Sequence, residues 1–293
     1  MGGSGADSED SQKEQMKLKT QTTHQKPKSR KFTGDDVTIV ICAYKECEYL
    51  EESILSVLHQ SVKTKVAIST STPNDFIRNM ADKYQLEMWV NPDGGHAKDY
   101  NFAIHRTPTA ICIMAHQDDL IHTDFVKKSL EAINDSDRPI IAFTDYKEMH
   151  GGTLDTVDSQ MVRIKRFLLW PMKIKWLSST IFGKRLCQCL GDPITHPSVT
   201  YVKSEMPEDC FREQYRSAMD WDLWERLSKQ PGRFVYVDEV LFFHRMHQQT
   251  ATAKLIGNSS RRSEEDYELL CRFWFKWIAR IIMKFYKKAQ NFY

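Results

Sequence analysis

The sequence VTIVICAYKECEYLEESILSVLHQ, residues 37–60 of a 293-residue chain, is the clearest indication of the fold. Its first six residues are almost all β-branched, as in a strand that is buried on both faces. Leu50, Ile54, Val57 and Leu58 then recur at helical spacing and share one face. The stretch predicts a buried strand, a short loop and an amphipathic helix.

This alternation continues to residue 145. Strand-like runs are predicted at residues 65–70, 86–90, 110–115 and 139–145, with helices at 74–84, 97–106 and 123–133 between them. Such alternation implies βαβ crossovers, so we expect an α/β fold with a largely parallel sheet. Thr123 is the expected N-cap of the third helix. Ligands bind beyond the carboxyl ends of strands in such sheets, which is where Asp118 and Asp119 stand.

The pattern changes after residue 160. Residues 161–186 are apolar, aromatic and basic, with Pro171 preventing a single helix. A strand, a helix and two short strands joined through Asp238 and Glu239 are expected next, followed by a long terminal helix. We expect three parts: a disordered polar tail over residues 1–35, a folded domain over 36–255 and a C-terminal basic amphipathic helix over 256–293.

Composition argues against several classes of protein. The net charge is only +2, so no nucleic-acid partner is expected. No run of roughly 18 apolar residues occurs, so no segment is expected to span a bilayer. Seven cysteines form an odd set without paired metal-ligand spacing, which favours free thiols in a reducing compartment.

Asp118 and Asp119 lie side by side just after the strand predicted at 110–115. Adjacent carboxylates are costly beside a core, because they repel each other and lose hydration. A divalent cation bound through their oxygens would relieve that cost and neutralise a diphosphate leaving group. A solvent-exposed acidic turn before the next helix would relieve it equally well, and the residues alone leave both interpretations open.

Two acids, Asp220 and Asp222, open the predicted helix MDWDLWERL. Either acid could act as a general base whose pKa is raised by the flanking tryptophans. The alternative is that one or both acids only cap the helix and interact with its dipole.

Three basic side chains, His244, Arg245 and His247, follow the last predicted strand. Arg245 could bind phosphate, and His247 could bind a metal ion or a phosphate oxygen. Half-exposed side chains at a strand end are the alternative. Two glycines in residues 91–101 precede a short helix whose N-terminus could approach phosphate, although a simple loop fits as well.

The order of these segments resembles that of family 2 glycosyltransferases of the GT-A type, over about residues 36–252. The segments that carry the resemblance are AYKE, GGHAKDYN, HQDD, HPSVTY, MDWDLW and FHRMH. The resemblance implies a Rossmann-like, mostly parallel central sheet with flanking helices. It also implies inverting transfer of a sugar from a nucleotide-sugar donor, with UDP as the expected nucleotide, to a hydroxyl of a saccharide or lipid-linked acceptor in surface polysaccharide synthesis.

The resemblance assigns roles to matching positions. Asp220 matches the catalytic base. Donor-binding residues are implied at Ala43, Tyr44, Glu46, Lys98, Asn101, Gln117 and Arg245. Ligands of Mn2+ or Mg2+ are implied at Asp118, Asp119 and His247.

The sequence departs from the family pattern at three places. Residues 69–72 read STST where the family carries acids that contact base or ribose, which leaves the choice of nucleotide open. His116 replaces the first acid of the DXD metal motif, and its softer imidazole favours manganese. Met219 stands where an acid often precedes the catalytic base.

The terminal segment carries a basic stripe. Arg272, Lys276, Arg280, Lys284 and Lys288 recur every four residues, with mostly aromatic and aliphatic residues between them. This pattern is typical of a helix lying in an anionic membrane interface. A helix packed on its own domain with its cations in solvent would fit too. We favour membrane contact, and with it a cytoplasmic protein held peripherally on the inner face of the cell membrane.

Two other functions fit parts of the sequence. The altered STST and HQDD segments are compatible with a catalytically degenerate GT-A protein that acts as a binding or scaffold module. A nucleotidyltransferase fits less well, because the loop AYKECEY lacks a Gly- and Arg-rich phosphate loop.

Overall fold

The computed structural model describes residues 30–150, 156–247 and 259–290. Most of the expected tail over residues 1–35 lies outside them, as does the polar link before the terminal helix. In the described residues nine strands form one sheet: β1 (Val37–Ala43), β2 (Lys65–Thr70), β3 (Glu87–Val90), β4 (Ile111–His116), β5 (Leu120–Ile121), β6 (Pro139–His150), β7 (Thr156–Val157), β8 (Val199–Val202) and β9 (Arg233–Met246).

The α-helices lie on both faces of this sheet. They are α1 (Leu50–Leu58), α2 (Asp75–Lys83), α3 (His96–Arg106), α4 (Phe125–Asn134), α5 (Gln160–Leu168), α6 (Ile181–Leu186), α7 (Met219–Ser228), α8 (Ser259–Leu270) and α9 (Lys276–Gln290). Short 3-10 turns at Trp170–Lys173 and Leu177–Ser179 connect α5 to α6, so residues 161–186 form no single helix, as predicted from Pro171.

The sheet has the strand order β3-β2-β1-β4-β8-β6-β9-β5, and β7 pairs with β6. Strands β3, β2, β1 and β4 are parallel, as predicted from the strand–helix alternation. Strand β8 runs antiparallel between β4 and β6, while β6 and β9 are again parallel to each other. The predicted α/β fold with flanking helices is therefore confirmed.

The alternating side chains of β1 divide the core into two layers. Ile39 and Ile41 are buried on the face covered by α1, α2 and α4. Val40 is buried on the opposite face, against α3, α7 and the C-terminal helices. Because β1 is covered on both faces, its sequence is a continuous apolar run rather than an alternating one.

Two local predictions were wrong. Thr123 does not cap α4, because its hydroxyl donates instead to the carbonyl oxygen of His59 at 2.7 Å. Asp238 and Glu239 do not separate two strands. They are exposed residues of a register irregularity within the single strand β9, which pairs with β6 on both sides of them.

The terminal segment is two helices rather than one. Residues 271–275 interrupt it, because Arg272 turns toward acids of α7 and the indole N–H of Trp274 donates to the carbonyl oxygen of Cys189 at 2.6 Å. Arg272 therefore does not belong to the basic stripe. No helix among the described residues has both the length and the hydropathy needed to cross a membrane.

Candidate active site

A tight turn between β4 and β5 carries the two adjacent acids. Strand β4 ends at His116 and β5 begins at Leu120, so that Asp118 and Asp119 lie in the connection. Strand β5 pairs antiparallel with β9. This pairing brings the acidic turn against residues 243–247, which are far away in sequence.

Asp119 is the buried member of the pair, with 3% of its surface exposed. Its Oδ1 accepts a hydrogen bond from the backbone N–H of Arg245 at 2.9 Å and lies 2.9 Å from Nδ1 of His244. Its buried Oδ2 accepts no hydrogen bond from the described residues and lies 3.4 Å from Nδ1 of His116. Burial alone raises the pKa of Asp119, but His244 and His116 together hold that pKa below its ordinary value, so the buried carboxylate is charged.

The ligand atoms suited to a divalent cation converge on this turn. His116, Asp118 and Asp119 each offer one atom, and the three atoms lie within 4.8 Å of one another. His247 adds Nε2 at 2.9 Å from Oδ2 of Asp118, while Nε2 of His116 lies 2.9 Å from the hydroxyl of Tyr100. A buried carboxylate oxygen without a donor, together with imidazole nitrogen, fits Mn2+ or Mg2+, with manganese the better match.

Arg245 holds the acidic turn from the side of β9. Its Nε donates to the carbonyl oxygen of Asp118 at 2.9 Å, and one terminal nitrogen lies 2.6 Å from Glu52. The guanidinium carbon lies 4.2 Å from the centre of the Tyr49 ring. Arg245 is buried, so its fixed positive charge acts on the turn with little screening by water.

The loops that follow β1 and β4 are joined by one side chain. The amide of Gln117 accepts from the backbone N–H of Tyr44 at 2.9 Å and donates to the Tyr44 carbonyl at 3.1 Å. Ala43 is buried at the end of β1, whereas Tyr44 and Glu46 are exposed. Four of the residues predicted to bind the donor therefore lie together at the carboxyl edge of the sheet.

An acid from another element reaches the segment STST, residues 69–72. Asp99 of α3 accepts from the hydroxyl of Ser71 at 2.9 Å and from the side-chain amide of Asn91 at 2.7 Å. The segment STST lacks the acids that the family pattern has at these positions. The carboxylate of Asp99 from α3 lies beside the segment instead.

Two further predicted donor residues, both on α3, face the segment around residue 211. Lys98 lies 3.7 Å from Glu213, and both side chains are exposed. Asn101 donates to the carbonyl oxygen of Phe211 at 2.7 Å and accepts from its N–H at 2.9 Å. The side-chain amide of Asn101 thus ties α3 to the loop that precedes α7.

A stack of rings connects the acidic turn with the neighbourhood of α7. The ring of Tyr100 lies 4.4 Å from that of His196, and Nδ1 of His196 lies 3.3 Å from Nε2 of His116. Nε2 of His96 approaches the Tyr100 hydroxyl at 3.1 Å. Burial raises the pKa of Tyr100 well above its ordinary value, and the negative charges of Asp220 and of the acidic turn add to this effect. Tyr100 is therefore close enough to both acidic groups to respond to their charges.

Asp220 lies in the first turn of α7 and is half-buried. Its Oδ1 accepts from the backbone N–H of Trp221 at 2.9 Å. Burial raises the pKa of Asp220, and the positive charge of Lys165 opposes part of that rise. Asp192 and Asp266 lie near it as well. Burial and the negative charge of Asp220 raise the pKa of Asp192 well above its ordinary value and the pKa of Asp266 to about 6.

The neighbouring acid has a different environment. Asp222 and Glu225, which we call the buried acid pair, are both fully buried within α7. Asp222 accepts from Arg226 at 2.9 Å and from Arg272 at 2.8 Å, and Glu225 lies 2.7 Å from Lys229. These ion pairs satisfy Asp222 within the core, so of the two acids Asp220 remains as the candidate base.

Sequence reasoning missed Tyr100, His196 and Asp192. His196 belongs to the segment HPSVTY, which carried the family resemblance but suggested no role for the histidine. No periodic pattern marks these residues, because ring stacking and loop packing bring them together from distant segments, as with Tyr100 and His196.

Residues 38–191 match the family model described as glycosyl transferase family 2. No curated protein sequence matches the chain.

Two solved structures illustrate the likeness in fold. The crystal structure of S. aureus TarS 1-349 in complex with UDP-GlcNAc matches with a TM-score of 0.58 at 15% identity, covering 81% of this chain and 71% of that one. The mannosyltransferase PcManGT from Pyrobaculum calidifontis, in complex with GDP-Man and Mn2+, matches with a TM-score of 0.53 at 14% identity, covering 81% and 64%. At these identities the likeness shows the fold, which is the predicted GT-A Rossmann-like fold.

Proposed function

Because the chain belongs to glycosyl transferase family 2, we propose that it transfers a sugar from a nucleotide-sugar donor, with UDP the expected nucleotide, to a hydroxyl group and inverts the anomeric configuration. The observation that carries this proposal is the half-buried Asp220, whose raised pKa suits a general base, on a helix that the stacked rings of Tyr100 and His196 link to the acidic turn. The expected acceptor is a saccharide or a lipid-linked sugar of surface polysaccharide synthesis. The alternative of a binding module without turnover gains no support from the comparisons.

Asp220 acts on the acceptor in this proposal. Its carboxylate accepts the proton of the acceptor hydroxyl while the hydroxyl oxygen attacks the anomeric carbon. The new glycosidic bond forms as the bond from that carbon to phosphate breaks, and the nucleoside diphosphate leaves with the electron pair. Because burial raises the pKa of Asp220, the carboxylate is a stronger base than an exposed aspartate.

The acidic turn acts on the donor. His116, Asp118, Asp119 and His247 are the residues that would hold Mn2+ or Mg2+. The buried Oδ2 of Asp119, which accepts no hydrogen bond from the part of the chain that the structure describes, supports this assignment. A bound divalent ion stabilises the charge of a departing diphosphate. Arg245 orients the turn through its bond to the Asp118 carbonyl.

The donor-binding residues retain their predicted roles as part of the proposal. Ala43, Tyr44, Glu46 and Gln117 would line the nucleotide pocket at the ends of β1 and β4. Lys98, Asn101 and Arg245 remain the other predicted donor contacts, although Asn101 also ties α3 to Phe211.

The substitution Asp220→Asn tests the proposal. It removes the base but keeps the size of the side chain, so transfer should fall by roughly 100-fold or more while donor binding persists. Asp75→Asn is the matched control, since Asp75 is an exposed acid in the first turn of α2. Retained transfer in Asp220→Asn would remove Asp220 as the base, and a product with retained anomeric configuration would refute inversion.

We also propose that the protein sits peripherally on an anionic membrane surface, on the cytoplasmic side, through α9. The exposed face of α9 carries both cations and large apolar side chains: Lys276, Trp277 (63% exposed), Arg280, Ile281 (45%), Lys284 and Phe285 (67%). Ala279 and Met283 are buried on the opposite face. A helix that only packed on its own domain would turn its aromatic residues inward, whereas here they point outward beside the cations.

A second segment adds to this surface. Phe182 of α6 is 68% exposed, and Phe275, just before α9, is 77% exposed. Arg185 connects the two regions, because it donates to the carbonyl oxygen of Arg272 at 2.7 Å and lies over the Phe273 ring at 4.5 Å. Exposed aromatic side chains are therefore present both on α6 and directly before α9, in segments that Arg185 connects.

Charge reversal on α9 tests the membrane proposal. Replacing Lys276, Arg280 and Lys284 by Glu should weaken binding to phosphatidylcholine vesicles that contain phosphatidylglycerol by about a hundredfold, at about 1 kcal/mol per lost cation. Lys127→Glu, an exposed change on α4, is the control. Unchanged vesicle sedimentation of the triple variant would exclude α9 as the anchor.

A further inference from the structure

The backbone that leads into helix α7, which carries Asp220, is held by a residue of another helix. The N-cap position of α7 is Ala218, whose side chain cannot accept a hydrogen bond. Glu265 of α8 binds the backbone amides that come directly before the helix. Its carboxylate accepts from the backbone N–H groups of Arg216 at 2.9 Å, Ser217 at 2.8 Å and Ala218 at 3.1 Å. One side chain thus fixes three consecutive amides directly before the helix.

The environment of Glu265 keeps this carboxylate charged. Burial alone would raise its pKa, but the backbone N–H groups and Arg261, which donates to it at 3.1 Å, together hold the pKa below its ordinary value. Glu265 is 6% exposed, so water does not compete for these bonds. A buried carboxylate that accepts several N–H groups is a rigid attachment point.

Charged residues of the same helix also act on Asp220. The negative charge of Asp220 contributes to the raised pKa of Asp266, the next residue of α8. The positive charge of Arg262, which lies 4.0 Å from Asp266, lowers the pKa of Asp220 in part. Helix α8 thus contributes both to the backbone before α7 and to the electrostatic environment of Asp220.

From this geometry we infer that Glu265 is a positioning residue that fixes Asp220 for proton transfer from the acceptor, an inference that rests on the proposed role of Asp220 as base. Ala218 is held by Glu265 and is only two residues from Asp220. A general base must lie within hydrogen-bond reach of the proton it accepts. Misplacement by about 1 Å can cost up to about 100-fold in rate.

The contrasting possibility is that Glu265 only stabilises the fold. The two possibilities differ in their kinetic effects. Loss of positioning lowers kcat in molecules that still bind the donor, because the acidic turn that serves the donor lies on β4 and β5. Loss of stability lowers the number of folded molecules and leaves kcat per folded molecule unchanged.

The test uses Glu265→Gln in the full chain, with Glu264→Gln as the matched control. Glutamine keeps the shape but replaces one acceptor oxygen with an NH2 group, so at least one of the three amides loses its acceptor. Glu264 is the exposed neighbour of Glu265 on α8. Donor binding, measured by titration calorimetry with UDP-GlcNAc or another accepted nucleotide sugar, counts the folded molecules, and kcat is expressed per donor-binding site.

We expect kcat per site to fall about tenfold in Glu265→Gln, with the donor KM within about twofold of the wild-type value. The control should keep its kcat. Glu265→Asp, which retains the charge on a shorter side chain, should recover part of the loss. An unchanged kcat per site in Glu265→Gln would overturn the inference, as would equal losses in the Gln and control variants.

The outcome for Asp220→Asn separates this inference from the proposed function. If Asp220→Asn abolishes transfer while Glu265→Gln keeps full kcat, only the positioning role fails. If Asp220→Asn retains transfer, the role of Asp220 as base fails, and positioning of that base fails with it.

Discussion

The ion pairs of Arg272 lead to a quantitative prediction about stability. Its guanidinium donates to Asp222 at 2.8 Å and to the hydroxyl of Tyr215 at 2.6 Å, and it lies 3.3 Å from Glu225. Both acids have fully buried side chains, so water cannot replace the lost cation. Arg272→Met keeps much of the apolar stem of the side chain while removing the charge.

The size of the expected stability loss depends on the ion pairs that Asp222 and Glu225 keep after Arg272 is replaced. Removing one partner of a buried ion pair costs about 3–5 kcal/mol, because the other charge stays buried without compensation. Asp222 keeps Arg226 at 2.9 Å, and Glu225 keeps Lys229 at 2.7 Å and also Arg185. We therefore expect the lower end of the range, about 3 kcal/mol. At about 2–4 °C per kcal/mol this corresponds to a Tm lower by roughly 6–12 °C.

Urea denaturation and thermal unfolding followed by circular dichroism measure this loss. Arg280→Met is the control, since Arg280 is exposed on α9 and its replacement should change the free energy of unfolding by less than about 0.5 kcal/mol. A loss below about 1 kcal/mol in Arg272→Met would refute the reasoning, because it would mean that the remaining cations already satisfy the buried acid pair.

Three other predictions concern the pH profile, the metal site and packing. Burial raises the pKa of Asp220, and the positive charge of Lys165 opposes that rise. Lys165→Met should therefore raise the pKa of Asp220 further and move the acid limb of the kcat–pH profile to higher pH. An acid limb at the wild-type pH would contradict this prediction. Asp118→Ala should weaken Mn2+ binding by roughly tenfold or more in titration calorimetry, and unchanged affinity would remove Asp118 from the metal site. Gly183→Ala places a Cβ against the carbonyl oxygen of Leu177. It should lower the free energy of unfolding, measured by urea denaturation, by about 1–3 kcal/mol. A variant as stable as the wild type would show that the surrounding backbone moves to accommodate the Cβ.

Local patterns in the sequence predicted most of the fold. The β-branched run of β1 and the helical spacing in α1 depend on neighbouring residues, so they can be read without knowledge of distant contacts. The acids after β4 were found for the same reason, because a strand end in a parallel sheet is a recognisable position. Their catalytic and metal-binding roles remain predictions.

The errors and omissions share a physical cause, which is packing between distant segments. Arg272 has the spacing of a surface stripe, but buried acids of α7 draw it into the core. Asp238 and Glu239 have the composition of a turn, but pairing with the long strand β6 continues through them. Glu265 shows no pattern that would connect it with amides nearly fifty residues earlier.

The attachment of α9 to the domain through α8 has a consequence for experiments with shortened chains. Cutting before residue 259 would remove the exposed aromatics of α9. It would also take away Glu265, which holds the amides before α7, and Arg272, which pairs with the buried acids of α7. A truncated protein that stays in the supernatant yet lacks transferase activity would therefore say nothing about whether lipid is required for turnover. Side-chain changes on the outer face of α9 separate adhesion to lipid from the integrity of the domain, because they leave both contacts in place.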